Sequence, residues 1–133
     1  MASKKISALA DEDANVPLQA VVLADSFNQK FRPITMEKPK VLLPLVNVPM
    51  IDYTLEWLAT AGVKEVFVFC CAHSAQVTRH VDSFWKHQQG FTVTCIVALD
   101  CTSAGDALRV IDQKGVVSNH SASDPQDGVG ACI

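Results

Sequence analysis

Apolar positions along the chain fall into short continuous runs separated by amphipathic stretches. Residues 18–24 (LQAVVLA) are apolar at nearly every position, the pattern of a strand covered on both faces. Residues 65–71 (EVFVFCC) and 91–99 (FTVTCIVAL) repeat the pattern with β-branched and aromatic side chains, which suit a pleated, buried backbone. Between these runs the period lengthens. Pro49 suits the first turn of a helix. After it Met50, Thr54, Leu55, Leu58 and Ala61 recur at helical spacing, and Gly62 supplies a stop. Ser74 is placed to cap a helix over 75–87, with Val77, Val81 and Phe84 on one stripe and Gly90 as breaker. Ser103 is placed to cap another over 104–113, with Ala107, Leu108 and Ile111 facing inward. Pro33, Pro39 and Pro44 each remove a donor and bias the preceding residue to extended geometry, so 33–48 reads as an ordered, extended loop rather than a helix. The order strand, loop, helix, strand, helix, strand, helix predicts an α/β fold with a doubly wound, Rossmann-like, mostly parallel sheet.

The two ends break this pattern. Residues 1–16 are polar, mixed in charge and without period, so they read as a disordered arm. The folded part is expected over 17–118. After Val117 the chain runs SNHSASDPQDGVGACI, with almost no apolar period. The expectation for 119–133 is therefore a divergent, disordered tail with no fourth strand. The sheet is then incomplete at its C-terminus, and 18–24 is left as an unpaired apolar edge of the kind that aggregates.

Composition narrows the classes of function. A chain of 133 residues makes one domain at most, and 49% hydrophobic residues exclude wholesale disorder. A net charge of −3 supplies no basic field for nucleic acid. The longest apolar run, 66–72, is far shorter than a membrane helix, and 1–16 has no apolar core of a secretion signal. Soluble, cytosolic residence is the expectation. Five cysteines, Cys70, Cys71, Cys95, Cys101 and Cys132, include no C-x-x-C pair. Cys70 and Cys71 are adjacent in a strand and so point to opposite faces, as free buried thiols. His73, His80 and His87 are spaced by seven, too far apart on a helix to share a metal, and read as solvent-facing. No metal and no cofactor is expected.

The segment joining the first strand to the first long helix carries the most chemistry. It reads Ala24-Asp25-Ser26-Phe27-Asn28-Gln29-Lys30-Phe31-Arg32-Pro33, then KPKVLLP from Lys38 and NVPMI from Asn47. This resembles the nucleotidyltransferase family of sugar-nucleotide pyrophosphorylases. Their first strand ends in A-G-G-x-G-T-R-L-x-P-L-T, followed by K-P-K-x-L-L-P and N-x-P-M-I. Here the glycine positions carry Asp25, Ser26 and Asn28, Gln29 stands for Thr, and Lys30 stands for Arg. A phosphate-wrapping loop needs bare backbone that turns its N–H groups inward, which glycine allows without a Cβ penalty. Asp25 adds charge that repels a polyphosphate, and an ammonium lacks the guanidinium fork. The loop from Ala24 to Lys30 is therefore read as a degenerate counterpart of the nucleotide loop. Lys40 is the candidate for the family's phosphate-contacting lysine, weighed against a solvated charged loop. Ser103-Ala104-Gly105 keeps part of the family's base-contacting G-T-A-G, against the simpler reading of a helix start with Asp106 in its first turn. The family's later strand ends in a G-D pair whose Asp holds magnesium. Asp127-Gly128 has the reverse order, and that role is not carried over.

The blocks LADSFNQKFRPI, VLLPLVNVPMIDYTLEWLATAGVKEVFVFCC and SAGDALRVID are similar to one branch of this superfamily, the epsilon subunits of eukaryotic translation initiation factor 2B. The similarity extends over about residues 17–119. That branch works in a multi-subunit guanine-nucleotide exchange factor, and its exchange activity lies in a carboxy-terminal helical domain. The resemblance implies a non-catalytic module, a fragment or short isoform, that contacts the sister subunits of the initiation factor 2B complex and, with them, initiation factor 2. It implies no direct contact with nucleic acid or membrane. A sugar-nucleotide-forming nucleotidyltransferase and an inactive truncated isoform are the alternatives.

Overall fold

A computed structural model describes residues 17–25, 30–117 and 129–132, the last as backbone. The first apolar run forms β1 (Gln19–Leu23). The proline-rich segment is less extended than its prolines suggest. It holds a single helical turn, α1 (Ile34–Glu37), a 3₁₀ turn over Lys40–Leu42, and a small antiparallel hairpin of β2 (Pro44–Leu45) and β3 (Val48–Pro49). Prolines flank these turns, at the N-caps Pro33 and Pro39, where a missing N–H costs nothing. The helices and strands that follow are α2 (Met50–Thr60), β4 (Glu65–Cys70), α3 (Ser74–Phe84), β5 (Thr92–Val97) and α4 (Ala104–Gln113). β6 (Val129–Cys132) is the last.

β6 corrects one expectation. It pairs parallel with β1, Ala20 opposite Val129 and Leu23 opposite Cys132, so the sheet order is β5-β4-β1-β6. The tail supplies a fourth strand, and β1 lies inside the sheet rather than at an open edge. Val129 is the one β-branched residue among four, and two small residues follow it. Their side chains give little periodic signal, so backbone pairing with β1 specifies this strand rather than an apolar pattern. The disorder expected for residues 1–16 and for 119–128 concerns segments outside the described residues.

Side chains alternate across β4. Val66, Val68 and Cys70 join Ala20 and Val22 beneath α2 and α3, meeting Ile51, Leu55, Leu58, Val77 and Val81. Phe67, Phe69 and Cys71 face the other way, with Leu23 and Ile96, against Ala107 and Ile111 of α4. The opposite facing expected of Cys70 and Cys71 holds, and the described cysteines Cys70, Cys71, Cys95 and Cys101 are all free. The sheet is thus covered on both faces, which is the doubly wound α/β arrangement.

The helical stripes need local correction. In α2 the fully buried positions are Ile51, Leu55 and Leu58, whereas Ala61 lies exposed beyond the helix end. In α3 Ser74 is the first helical residue and caps nothing. The N-cap is His73, in a left-handed conformation at φ 53°, without a side-chain cap bond. Phe84 is 67% exposed while Trp85, just past the helix, is buried. Leu108 on α4 is likewise exposed at 55%. In each case the stripe is one residue narrower or shifted, because one sheet face covers a limited arc of each helix.

The α4 cap follows expectation. Ser103 Oγ accepts from Asp106 N at 3.3 Å and donates to Asp106 Oδ2 at 3.1 Å, while Thr102 Oγ1 donates to the same carboxylate at 3.0 Å. The Thr102 and Ser103 hydroxyls hold Asp106 below its ordinary value. The stabilisation from this cap is therefore present above the usual carboxylate range and is lost as pH falls through the lowered value. Ser103→Ala is expected to cost about 1 kcal/mol in urea unfolding. An unchanged midpoint would show that the cap bond is replaced by water.

Candidate functional site

From β1 the chain moves to β4 and β5 on one side and returns to β6 on the other. Open α/β sheets bind ligands in the crevice outside the carboxyl ends of the strands at such a reversal. Ala24 and Asp25 leave β1 at this point. Ala24 is buried, and its N–H donates to Phe69 O at 2.8 Å, prolonging the β1–β4 ladder by one residue. That bond aims Asp25 across the end of β4, where Asp25 Oδ2 accepts from Ala72 N at 3.0 Å.

A cleft of about 280 Å³ opens beside this contact, lined by Ala24, Asp25, Arg32, Lys40, Ala72 and His73 among others. Its outer wall is the turn of α1, tied to α3 by Gln76 Nε2 donating to Glu37 O at 3.0 Å. Lys40 is half-buried, its ammonium 5.1 Å from the centre of the Phe31 ring, a cation–π distance. The lysine is therefore held against the cleft wall by an aromatic face. Lys30 is exposed and is not among the lining residues. Ser26, Asn28 and Gln29 lie outside the described residues.

The arrangement brings together Ala24, Asp25 and Lys40 of the expected set. Arg32 and His73 join them. Arg32 belongs to the loop already singled out, and counting every cation of that loop would have found it. In the sequence His73 stands only as one of three spaced histidines. Its place in the cleft follows from the turn between β4 and α3, which no spacing rule reveals.

The chemistry of this cleft is set by Asp25. A backbone N–H at a strand end beside a helix start is the kind of donor that receives a phosphate oxygen. Here a carboxylate of the same chain takes that donor, and its charge repels a second anion. Among the described residues no group of three His, Cys, Asp or Glu side chains gathers to hold a metal ion. Among the described residues Asp25 is the one carboxylate lining the cleft, and it accepts from Ala72 N. The described residues of this cleft thus offer no carboxylate cluster of the kind that holds magnesium.

A second polar cluster lies apart from the cleft and was not expected. Asp52 Oδ1 accepts from His80 Nε2 at 2.8 Å and from Trp85 Nε1 at 2.7 Å. The His80 and Asp52 side chains are 14% and 19% exposed, so His80 is not the solvent-facing residue that its spacing suggested. It bonds across from α3 to α2, and its ring also packs on Phe84 at 4.8 Å between centroids.

The chain belongs to the nucleotidyl transferase family, whose model matches residues 19–121. Within that family it is 48% identical over 118 residues to the translation initiation factor eIF2B subunit epsilon of Dictyostelium discoideum, covering 88% of this chain and 16% of that protein. It is 50% identical over 104 residues to the subunit of the same name from Schizosaccharomyces pombe, covering 77% of this chain and 15% of that one. The chain thus spans about one sixth of the length of these relatives. The fold is also that of apo UDP-glucose pyrophosphorylase, with a TM-score of 0.63 at 18% identity over 74% of this chain and 43% of that one. No helix among the described residues is long and apolar enough to cross a membrane.

Proposed function

We propose that this chain is a non-catalytic nucleotidyl-transferase-fold module of an epsilon-type subunit of translation initiation factor 2B. In this reading it works in the cytosol by holding sister subunits of that complex together and helping to dock initiation factor 2. The observation that carries its non-catalytic half is the Asp25 carboxylate on the Ala72 N–H, at the crevice where open α/β sheets bind ligands. The identities of 48% and 50% to initiation-factor subunits support the other half. No cofactor is needed for such a role.

Two measurements test it. Calorimetric titration of the chain with GTP, ATP or UTP, each with magnesium, is expected to give no saturable signal. A clear saturable signal supports the alternative, a sugar-nucleotide-forming nucleotidyltransferase. Affinity purification of the tagged chain co-expressed with the other subunits of the factor is expected to retain them. Loss of every subunit at micromolar concentration sinks the assembly reading and favours an inactive isoform.

A further inference from the structure

Two thiols share the carboxyl ends of β4 and β5. Cys71 is the residue after β4 and is 8% exposed, while Cys101 is half-buried in the loop between β5 and α4. β4 and β5 are paired neighbours with Cys70 opposite Val97, and Ala98 N donates to Cys70 O at 3.2 Å. Cys71 therefore leaves the sheet beside Ala98, at a ladder spacing of about 4.8 Å, and Cys101 follows three residues on in the same loop. Cys101 packs against the cluster that contains Cys71, Phe69, Ile96 and Ala107. It also lines an open cleft of about 460 Å³, with Leu99, Asp100, Asp106 and Arg109. One thiol is reachable from solvent and the other stands behind it. Cys70 differs, being 1% exposed on the opposite sheet face with its Sγ donating to Ile96 O at 3.8 Å.

We propose that Cys101 and Cys71 form an oxidisable dithiol, a modification site that a small disulfide such as glutathione disulfide closes into an intramolecular Cys71–Cys101 bond. The Cys101 thiolate attacks one sulfur of the oxidant. A Cys101–glutathione bond forms, the oxidant's S–S bond breaks, and one glutathione thiolate leaves. The Cys71 thiol gives its proton to water and its sulfur attacks Cys101. The Cys71–Cys101 bond forms and the second glutathione thiolate leaves. Two protein thiols are oxidised and one glutathione disulfide is reduced to two thiols. Access decides the order, since exposed thiols react first.

The second step is the slow one. Burial first, then the Asp25 carboxylate and the neighbouring Cys101 thiol, push the Cys71 thiol up to about 12. The groups facing it are Asp25 from the end of β1 and Cys101 from the loop after β5, whereas α4 presents Ala104, Ala107 and Ile111 to this cluster. The thiolate fraction, and with it the closing rate, rises about tenfold per pH unit below that value. Asp25→Asn removes the facing charge and is expected to speed closure without changing the first step.

The test uses the intact chain, reduced, freed of reductant and incubated with glutathione disulfide. Quenched samples are mapped without reduction, and fragmentation separates Cys70 from Cys71. The expected result is a transient glutathione adduct on Cys101, then loss of two of the five thiols with a Cys71–Cys101 cross-link. Cys71→Ser is expected to stop at the Cys101 adduct, and Cys101→Ser to leave Cys71 unmodified. Because Cys101 is half-buried at a cleft, its variant keeps the test usable should Cys71→Ser fail to fold. A cross-link between Cys70 and Cys95 or to Cys132, an adduct on Cys101 that never resolves, or thiols that all stay reduced overturns the proposal.

Discussion

Phe69→Ala is expected to lower the stability of the folded chain by about 3–5 kcal/mol, the range for truncating a buried aromatic. Phe69 is fully buried at 0% exposure, and in the register it lies between Leu23 of β1 and Ile96 of β5. Ala107 and Ile111 of α4 close over it. Among the described residues one helix, α4, covers this face of the sheet, so few neighbours can move inward to fill the space left by the ring, and the cavity term stays large. Domains of this size hold about 5–15 kcal/mol in all, so the variant keeps only a fraction of its margin. Equilibrium unfolding in urea, followed by tryptophan fluorescence and far-UV circular dichroism, measures the change. A loss under about 1 kcal/mol would mean that α4 collapses onto the sheet. The backbone of Phe69 also accepts from Ala24 N, so a relaxed β4 is expected to loosen the hold of Asp25 on Ala72.

What the sequence made legible follows from how much of each element is repeated. β4 and β5 were readable because each is a run of six residues rich in β-branched or aromatic side chains. α4 was readable to its ends because its cap residue, its first-turn acid and its apolar spacing agree. β6 was not, because a Gly-Ala pair contributes no side-chain pattern and its pairing depends on β1, more than a hundred residues earlier. The turns within 33–48 were hidden for a different reason. Proline excludes helix interiors but accepts the first position of short turns, so three prolines in a row of 16 residues allow extended chain and single turns alike.

The candidate site divides in the same way. Asp25 stands out in the sequence because the resemblance expects glycine there, a difference with a direct steric and electrostatic meaning. What Asp25 does instead is not legible there. Its partner Ala72 lies 47 residues away, and the contact exists because the Ala24–Phe69 bond sets the register of two strands. Two of the three histidines failed for a related reason, while His87 is exposed as expected. A period of seven suggested one solvent-facing row, but His73 sits before the helix in a left-handed turn and His80 faces α2. Helix-wheel spacing predicts which residues share a face, and it does not say what stands opposite that face.

Asp52→Ala is expected to be the second most damaging change, at about 2–4 kcal/mol, because it leaves two donors without an acceptor at about 1–3 kcal/mol each. Asp52 sits in the first turn of α2, and one oxygen, Oδ1, receives both the His80 and the Trp85 N–H. Trp85 is 8% exposed and packs edge-on against Phe91 at 5.7 Å, so its indole N–H cannot turn to solvent without leaving that contact. His80 is 14% exposed and can recover part of its loss from water. The cost is therefore weighted toward the tryptophan. Two further variants separate the contributions. Asp52→Asn keeps an acceptor oxygen and is expected to lose about half as much. Trp85→Phe removes the donor while keeping much of the packing, so in the double variant with Asp52→Ala the two losses should fall short of their sum by about 1 kcal/mol or more. Strict additivity would mean that the indole finds another partner when Asp52 is gone, and that α2 and α3 are held over the sheet by their apolar stripes alone.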